Sequence, residues 1–194
     1  MKKTYNAIFF ENNILTNIPA RLDGRILSAA TATSLLLMRV AYQNKVEEFE
    51  SICRKILDDL KKDEKYADFD KMAQAHEEAV RILAARDAHE KWDGEEESRP
   101  ARPSDEDIAK AETTMASSAE YEKVLSELTN AYGEARAKQA EVETTIEVNK
   151  LSRAELEDIV GMIAAADSVH IRIPNGEFDE PSQSFLALIA KLFA

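Results

Sequence analysis

Between Leu35 and Leu60, the apolar residues Leu35, Met38, Tyr42, Val46, Phe49, Cys53, Ile56 and Leu60 recur at intervals of three and four. That spacing puts them on one stripe of an α-helix, which completes a turn every 3.6 residues. Neither Gly nor Pro interrupts residues 26–62, so the pattern predicts one helix over that range, about 50 Å long at 1.5 Å per residue. Its opposite face carries Gln43, Lys45, Glu47, Glu48, Asp58 and Lys62. A helix this long must bury its apolar stripe, in a bundle or against a second copy of the chain.

A similar seam, Phe69, Met72, His76, Ala79 and Leu83 with Val80 and Ile82 beside it, predicts a second helix over about 66–92. The polar residues 63–65 read as a connection, which gives an antiparallel helical hairpin; the alternative is a continuous helix, since no Gly or Pro intervenes. Residues 93–107 hold Gly94, three successive Glu, Pro100 and Pro103, and are expected to form an exposed, mobile loop. Ser104 followed by Asp107 reads as an N-cap with an acid in the first turn. A third long helix then follows, with Tyr121, Val124, Leu128, Ala131 and Ala135 as its seam.

The remaining segments suggest a little β-structure. Thr4–Phe10 is β-prone and precedes a Glu-Asn-Asn turn signal, residues 15–24 read as an irregular connection, and Val142, Thr144, Ile146 and Val148 alternate with polar residues. Ser152 with Glu155 fits a capping box opening a short helix to about Ala165. Ser168–Ile173 alternates as a strand, Pro174-Asn175-Gly176 turns the chain, and Ser182 or Ser184 is expected to cap a final helix. The expected fold is α+β and mainly α: a hairpin or bundle of long helices with a small sheet of two or three short strands, forming a single domain over residues 1–194.

Thirty-seven Asp and Glu against twenty-five Lys and Arg give a net charge of −12 and a pI near 4.8. Residues 1–62 carry a net +3 and the remainder −15. This balance argues against a broad basic face for nucleic acid and against a polybasic membrane anchor. The single Cys53 excludes an intramolecular disulfide. The apolar run after the basic start is broken by Glu11, Asn12 and Asn13, and no stretch reaches the ~20 apolar residues of a membrane span. A cytoplasmic protein is expected.

Catalytic signatures are absent from the spacing. His76 precedes Glu77 and Glu78, but the position where a zinc-protease helix needs its second His holds Val80. His76 therefore reads as a core or interhelix residue. Asp87 and His89 point to different helix faces, His170 lies on the polar side of its strand, and Cys53 sits on an apolar seam. No nucleophile elbow, Walker loop or dinucleotide glycine fingerprint is present. No catalytic, cofactor-binding or metal-ligating residue is assigned. Trp92, the only Trp, reads either as a partner anchor or as the packed end of a helical hairpin. The closing helix, with Phe185, Leu188, Ile189 and Leu192, reads either as docked on the core or as a partner or oligomer contact.

Three stretches resemble a group of small, uncharacterised helical proteins encoded by tailed bacteriophages and prophages. They are Ile18-Pro19-Ala20-Arg21-Leu22-Asp23-Gly24-Arg25 leading to a helix that ends Val46-Glu47-Glu48-Phe49-Glu50, then Tyr121 to Gly133, then Val142 to Val148 with Leu151-Ser152-Arg153-Ala154-Glu155-Leu156. Together they cover roughly half the chain. The resemblance implies a viral or mobile-element protein. The expected function is a non-enzymatic protein–protein interaction module, as a virion or assembly accessory or an inhibitor of a host system, with self-association as a homodimer allowed by the seams. An acidic nucleic-acid mimic is the alternative, and an enzyme of unknown type is a third reading.

Overall fold

A computed structural model describes residues 1–94 and 96–193. Glu95, inside the acidic loop, and the terminal Ala194 lie outside the described residues. The fold is α+β and mainly α, with seven α-helices among the described residues. The β-structure consists of three separate two-stranded antiparallel pairs. The chain divides into two compact units, residues 1–53 with 137–194, and residues 54–136.

In the first unit, β1 (Lys2–Thr4) pairs with β4 (Glu143–Thr145), with Lys3 opposite Thr144. Here the strand expected over Thr4–Phe10 is corrected: α1 (Tyr5–Asn17) begins immediately after β1. Thr4 is extended and its hydroxyl accepts the Ala7 N–H at 3.3 Å, forming an N-cap. Tyr5, Ile8 and Leu15 are all buried, a helical period that alternation would have split between two faces. A short apolar run cannot be assigned to strand or helix by itself.

The irregular connection expected over 15–24 contains structure at both ends, because α1 runs to Asn17 and a small hairpin follows. It pairs β2 (Arg21–Leu22) with β3 (Arg25–Ile26). Asp23 and Gly24 both have positive φ, 48° and 80°, as a two-residue turn of this hand requires. The long helix α2 runs Ala29–Leu60, close to its expected bounds. Its stripe residues Leu35, Met38, Tyr42, Phe49 and Cys53 are buried.

α6 (Arg153–Ile163) opens with the capping box read in the sequence: the Ser152 hydroxyl accepts the Glu155 N–H, and the Glu155 carboxylate accepts the Ser152 N–H. β5 (Ser168–Ile173) then pairs with β6 (Gly176–Pro181), a strand not anticipated, through a turn at Pro174-Asn175. α7 (Ser182–Phe193) closes the unit. The serine cap expected for α7 is not made as expected. Ser182 is the first helical residue and its buried hydroxyl has no hydrogen-bond partner among the described residues, while its N–H donates to the Asp167 carbonyl at 3.1 Å. α1 packs on β5 and α7, and Val169, Ile171, Phe185 and Ile189 join Ile8 and Leu15 in the core.

In the second unit, the last turns of α2 lead through a 3-10 turn at Glu64–Tyr66 to α3 (Phe69–Glu90), so the chain breaks between the first two long helices, as expected. After a 3-10 turn at Glu96–Ser98 come α4 (Asp105–Ala116) and α5 (Ser118–Ala140), the latter ending in the first unit. Ser104 caps α4, its hydroxyl accepting the Asp107 N–H at 3.1 Å.

The third long helix is thus two helices. Ser117 separates them: its N–H is shared between the Thr113 and Thr114 carbonyls, and its hydroxyl donates to the same oxygens. The Thr-Thr-Met-Ala-Ser-Ser sequence around it is rich in residues that compete for backbone hydrogen bonds. α3 packs most closely against α4, where Ala79 and Ala111 are both 2% exposed.

Candidate functional site

Of the residues singled out in the sequence, Trp92 belongs to the second unit and Phe185, Leu188, Ile189 and Leu192 to α7 of the first. Phe185 and Ile189 are 1% and 2% exposed, so the core takes them up and neither is presented to a partner. Leu188 borders a small groove with Phe10, Ile173 and Phe178, and Leu192 is half-buried. An apolar groove of about 370 Å³ does lie between α6 and α7, lined by Leu156, Val160, Leu186, Ile189, Ala190 and Phe193. Trp92 is 38% exposed and its indole lies against Gly94, where an added Cβ would sit 2.6 Å from Cζ2. A side chain at Gly94 would displace the indole.

The three histidines serve packing and hydrogen bonding. His76 is half-buried and stacks on Tyr121 with ring centres 4.6 Å apart. Both border a groove of about 430 Å³ with Asp68, Lys71, Ser117 and Glu120. His89 Nδ1 lies 2.8 Å from the Pro100 carbonyl, tying the acidic loop to α3. His170 is exposed, 3.1 Å from Asp179 and 3.2 Å from Glu177. Among the described residues, no group of three or more His, Cys, Asp or Glu is arranged to hold a metal ion.

An exposed apolar surface lies on α2. Leu36 and Leu37 are each 58% exposed and Val40 is 49% exposed. Val40 lies four residues from Leu36 and three from Leu37, so it neighbours both on the helix surface. Scattered exposed aliphatics are normal, whereas these three are neighbours on one helix face. Sequence reading followed the buried seam through Leu35 and Met38 and passed over this row. The signal was present in the unbroken Leu35-Leu36-Leu37-Met38 run, which is wider than one buried stripe needs.

The row leads, one turn on, into a groove of about 360 Å³ between α1 and α2, lined by Asn12, Thr16, Arg39, Val40, Gln43 and Asn44. Arg39 is fixed there by the end of α1: Nε–H donates to the Leu15 carbonyl at 2.8 Å and an Nη2–H donates to the Ile18 carbonyl. A cation at a helix C-terminus is favoured by the aligned peptide dipoles. Burial pushes the guanidinium below its ordinary value.

Two mirrored clusters hold α1 against α2 beneath this surface. Tyr5 of α1 donates to Glu48 of α2 at 2.6 Å, and Lys45 pairs with the same carboxylate at 2.6 Å. Tyr42 of α2 donates to Glu11 of α1, which also pairs with Lys3. Both phenols are held above their ordinary range, first by burial and then by the carboxylates that accept from them. The Lys45 and Tyr5 hydrogen bonds hold Glu48 below the usual carboxylate range.

The acidity is interleaved with bases. Residues 54–136 contain fourteen Lys and Arg and twenty-two Asp and Glu, a net of −8, which leaves −4 for the other unit. Along these helices Arg81 pairs with Glu78, Arg86 with Glu112, Lys65 with Glu127 and Lys62 with Asp59. Such alternation is the pattern of a solvated helical exterior. No helix among the described residues is long and apolar enough to cross a membrane. No protein-family model, curated protein or solved structure matches the chain.

Proposed function

We propose that this chain is a protein–protein interaction module that acts through the first unit without catalysing a reaction, with the exposed face of α2 as its contact surface. The observation that carries this reading is the row Leu36, Leu37 and Val40, aliphatic side chains left about half in water on a helix whose opposite side buries Leu35, Met38 and Tyr42. At about 25 cal/mol per Å², covering such side chains supplies a driving force for association. The resemblance to helical proteins of tailed phages and prophages supports a viral setting, as a virion or assembly accessory or an inhibitor of a host system. A cytoplasmic site of action fits that setting.

The test places a photo-crosslinking amino acid at Leu37 of the full chain expressed in a bacterial host, with the same group at exposed Glu122 as control. A discrete adduct from position 37 that disappears on adding Leu36→Asp is the expected result, and its mass distinguishes a second copy from a foreign partner. Indistinguishable adducts from positions 37 and 122 would overturn the reading.

A further inference from the structure

The groove beside the exposed row has a chemistry of its own. A guanidinium carries five N–H donors, and Arg39 uses Nε–H and one Nη2–H on the Leu15 and Ile18 carbonyls. Among the described residues, no acceptor takes the other three N–H groups and no carboxylate pairs with Arg39. Lys3 and Lys45, the other cations held in the α1–α2 contact, are each neutralised by a carboxylate, Glu11 and Glu48.

Most of the groove's exposed lining is carbon, and apart from Arg39 and Val40 the side chains that supply it are neutral and polar. The Asn12 and Asn44 carboxamides make no side-chain hydrogen bond with the described residues, Thr16 donates to the Asn12 carbonyl at 2.8 Å, and Gln43 donates to Glu47 at 3.2 Å. Two carboxamides and an uncountered guanidinium fork thus border one concavity, with Val40 at its junction with the aliphatic row.

We propose that this groove receives a carboxylate of the partner, an Asp or Glu side chain set about one helical turn beyond the apolar residues that cover Leu36, Leu37 and Val40. This inference rests on the interaction reading and specifies the partner's chemistry. A planar carboxylate matches the guanidinium fork, and its remaining lone pairs suit the amide N–H groups of Asn12 and Asn44. One cation balances one carboxylate, whereas a phosphate dianion would remain half uncompensated, since Arg39 is the one cation among the residues that line the groove. The partner segment is accordingly amphipathic, with aliphatic residues followed by an acid, and Arg39 fixes its register.

The test is an NMR titration of the full ¹⁵N-labelled chain, observing the Arg39 Nε–H and the Asn12 and Asn44 side-chain amides. The probes are glutarate, its neutral counterpart glutaramide, and inorganic phosphate. Glutarate is expected to shift these signals saturably, with a dissociation constant on the order of 10 mM, and to bind at least tenfold more tightly than glutaramide. Because Arg39→Gln would also loosen the end of α1, the deciding variant is Asn12→Ala with Asn44→Ala. It should weaken glutarate at least threefold while leaving the backbone spectrum unchanged.

Equal responses to glutarate and glutaramide, or an Arg39 signal that does not move, would overturn the carboxylate site. Phosphate saturating the same signals at tenfold lower concentration would overturn it in favour of a free-anion site. Either result leaves the crosslink from position 37 as an independent measure of the interaction reading. Loss of that crosslink with the glutarate response intact would overturn the interaction reading instead.

Discussion

Tyr42 on α2 donates its hydroxyl to Glu11 on α1, and this bond is mirrored by Tyr5 on α1 donating to Glu48 on α2. Each helix therefore supplies one phenol and one carboxylate to the other. Each carboxylate is also paired with a lysine, Lys3 for Glu11 and Lys45 for Glu48. The exchange fixes the axial position of α1 on α2, because sliding either helix by one turn would break both clusters at once.

The mirrored phenols give the protein an alkaline weakness. Both are raised in the folded state, so their contribution is complete below the unfolded value near pH 10 and is lost as pH rises through the folded values. Tyr42→Phe should cost about 1.5–3 kcal/mol at neutral pH, the range for a hydrogen bond to a charged group. Together with Tyr5→Phe it should flatten the loss of stability above pH 10. Urea midpoints measured from pH 7 to 11 check both effects.

A second linkage joins the start of α2 to α6. Thr31, 1% exposed, donates to Asp158 at 2.6 Å, and the Ser28 N–H donates to the same oxygen at 2.9 Å. These bonds, Thr31 first, hold Asp158 below its ordinary value. The stability they supply is present above the unfolded Asp value near 3.9 and is lost as pH falls through the folded value. Thr31→Val keeps the shape and removes the donor. It should lower stability by about 1–3 kcal/mol, shifting the denaturant midpoint without changing its slope, and the variant should lose less stability than the parent between pH 5 and 3.

His170 stands between Asp179 directly across the β5–β6 ladder and Glu177 on the diagonal. The hydrogen bond to Asp179 and then that to Glu177 raise it above its ordinary value. Its contribution is therefore complete below the unfolded value near pH 6.5 and fades as pH rises through the folded one. NMR titration of the His170 ring should give a midpoint above 6.5 in the parent. Asp179→Asn with Glu177→Gln should bring that midpoint down, and an unchanged midpoint would show that the two carboxylates do not act on the ring.

Phe185 separates folding from binding. Buried at 1% exposure, it should cost about 3–5 kcal/mol when changed to Ala. Leu36→Asp, on a side chain mostly in water, should stay within about 0.5 kcal/mol of the parent. Urea unfolding of the two variants side by side checks the contrast.

The sequence made legible those features whose determinants lie within a few residues of one another. The Ser152–Glu155 capping box and the Ser104 cap formed as read, because each is a local exchange between a side chain and the next turn. The α2 stripe was legible for the same reason. Thr4–Phe10 was misread because its aromatic and β-branched residues suit a strand in isolation, while burial against α2 and α7 favours helix. The break at Ser117 depends on hydroxyl and carbonyl geometry that periodicity does not encode. β6 escaped notice because Glu177, Asp179 and Glu180 are poor strand formers held by pairing to β5. The candidate site was the least legible part. Which apolar residues of α2 stay uncovered, and that Arg39 bonds carbonyls and not a carboxylate, are decided by packing between segments far apart in the chain.

Cys53, the single cysteine, is 4% exposed at the end of the stripe on α2 and lies near Tyr5. A thiol reagent reaches its sulphur only while that part of the core is open. The rate of labelling, set against the rate for the unfolded chain, therefore gives the fraction of time spent open. The molecule carries a built-in gauge of its own breathing, placed beside the Tyr5–Glu48 cluster, and it reads every substitution on the α1–α2 contact without an added probe site.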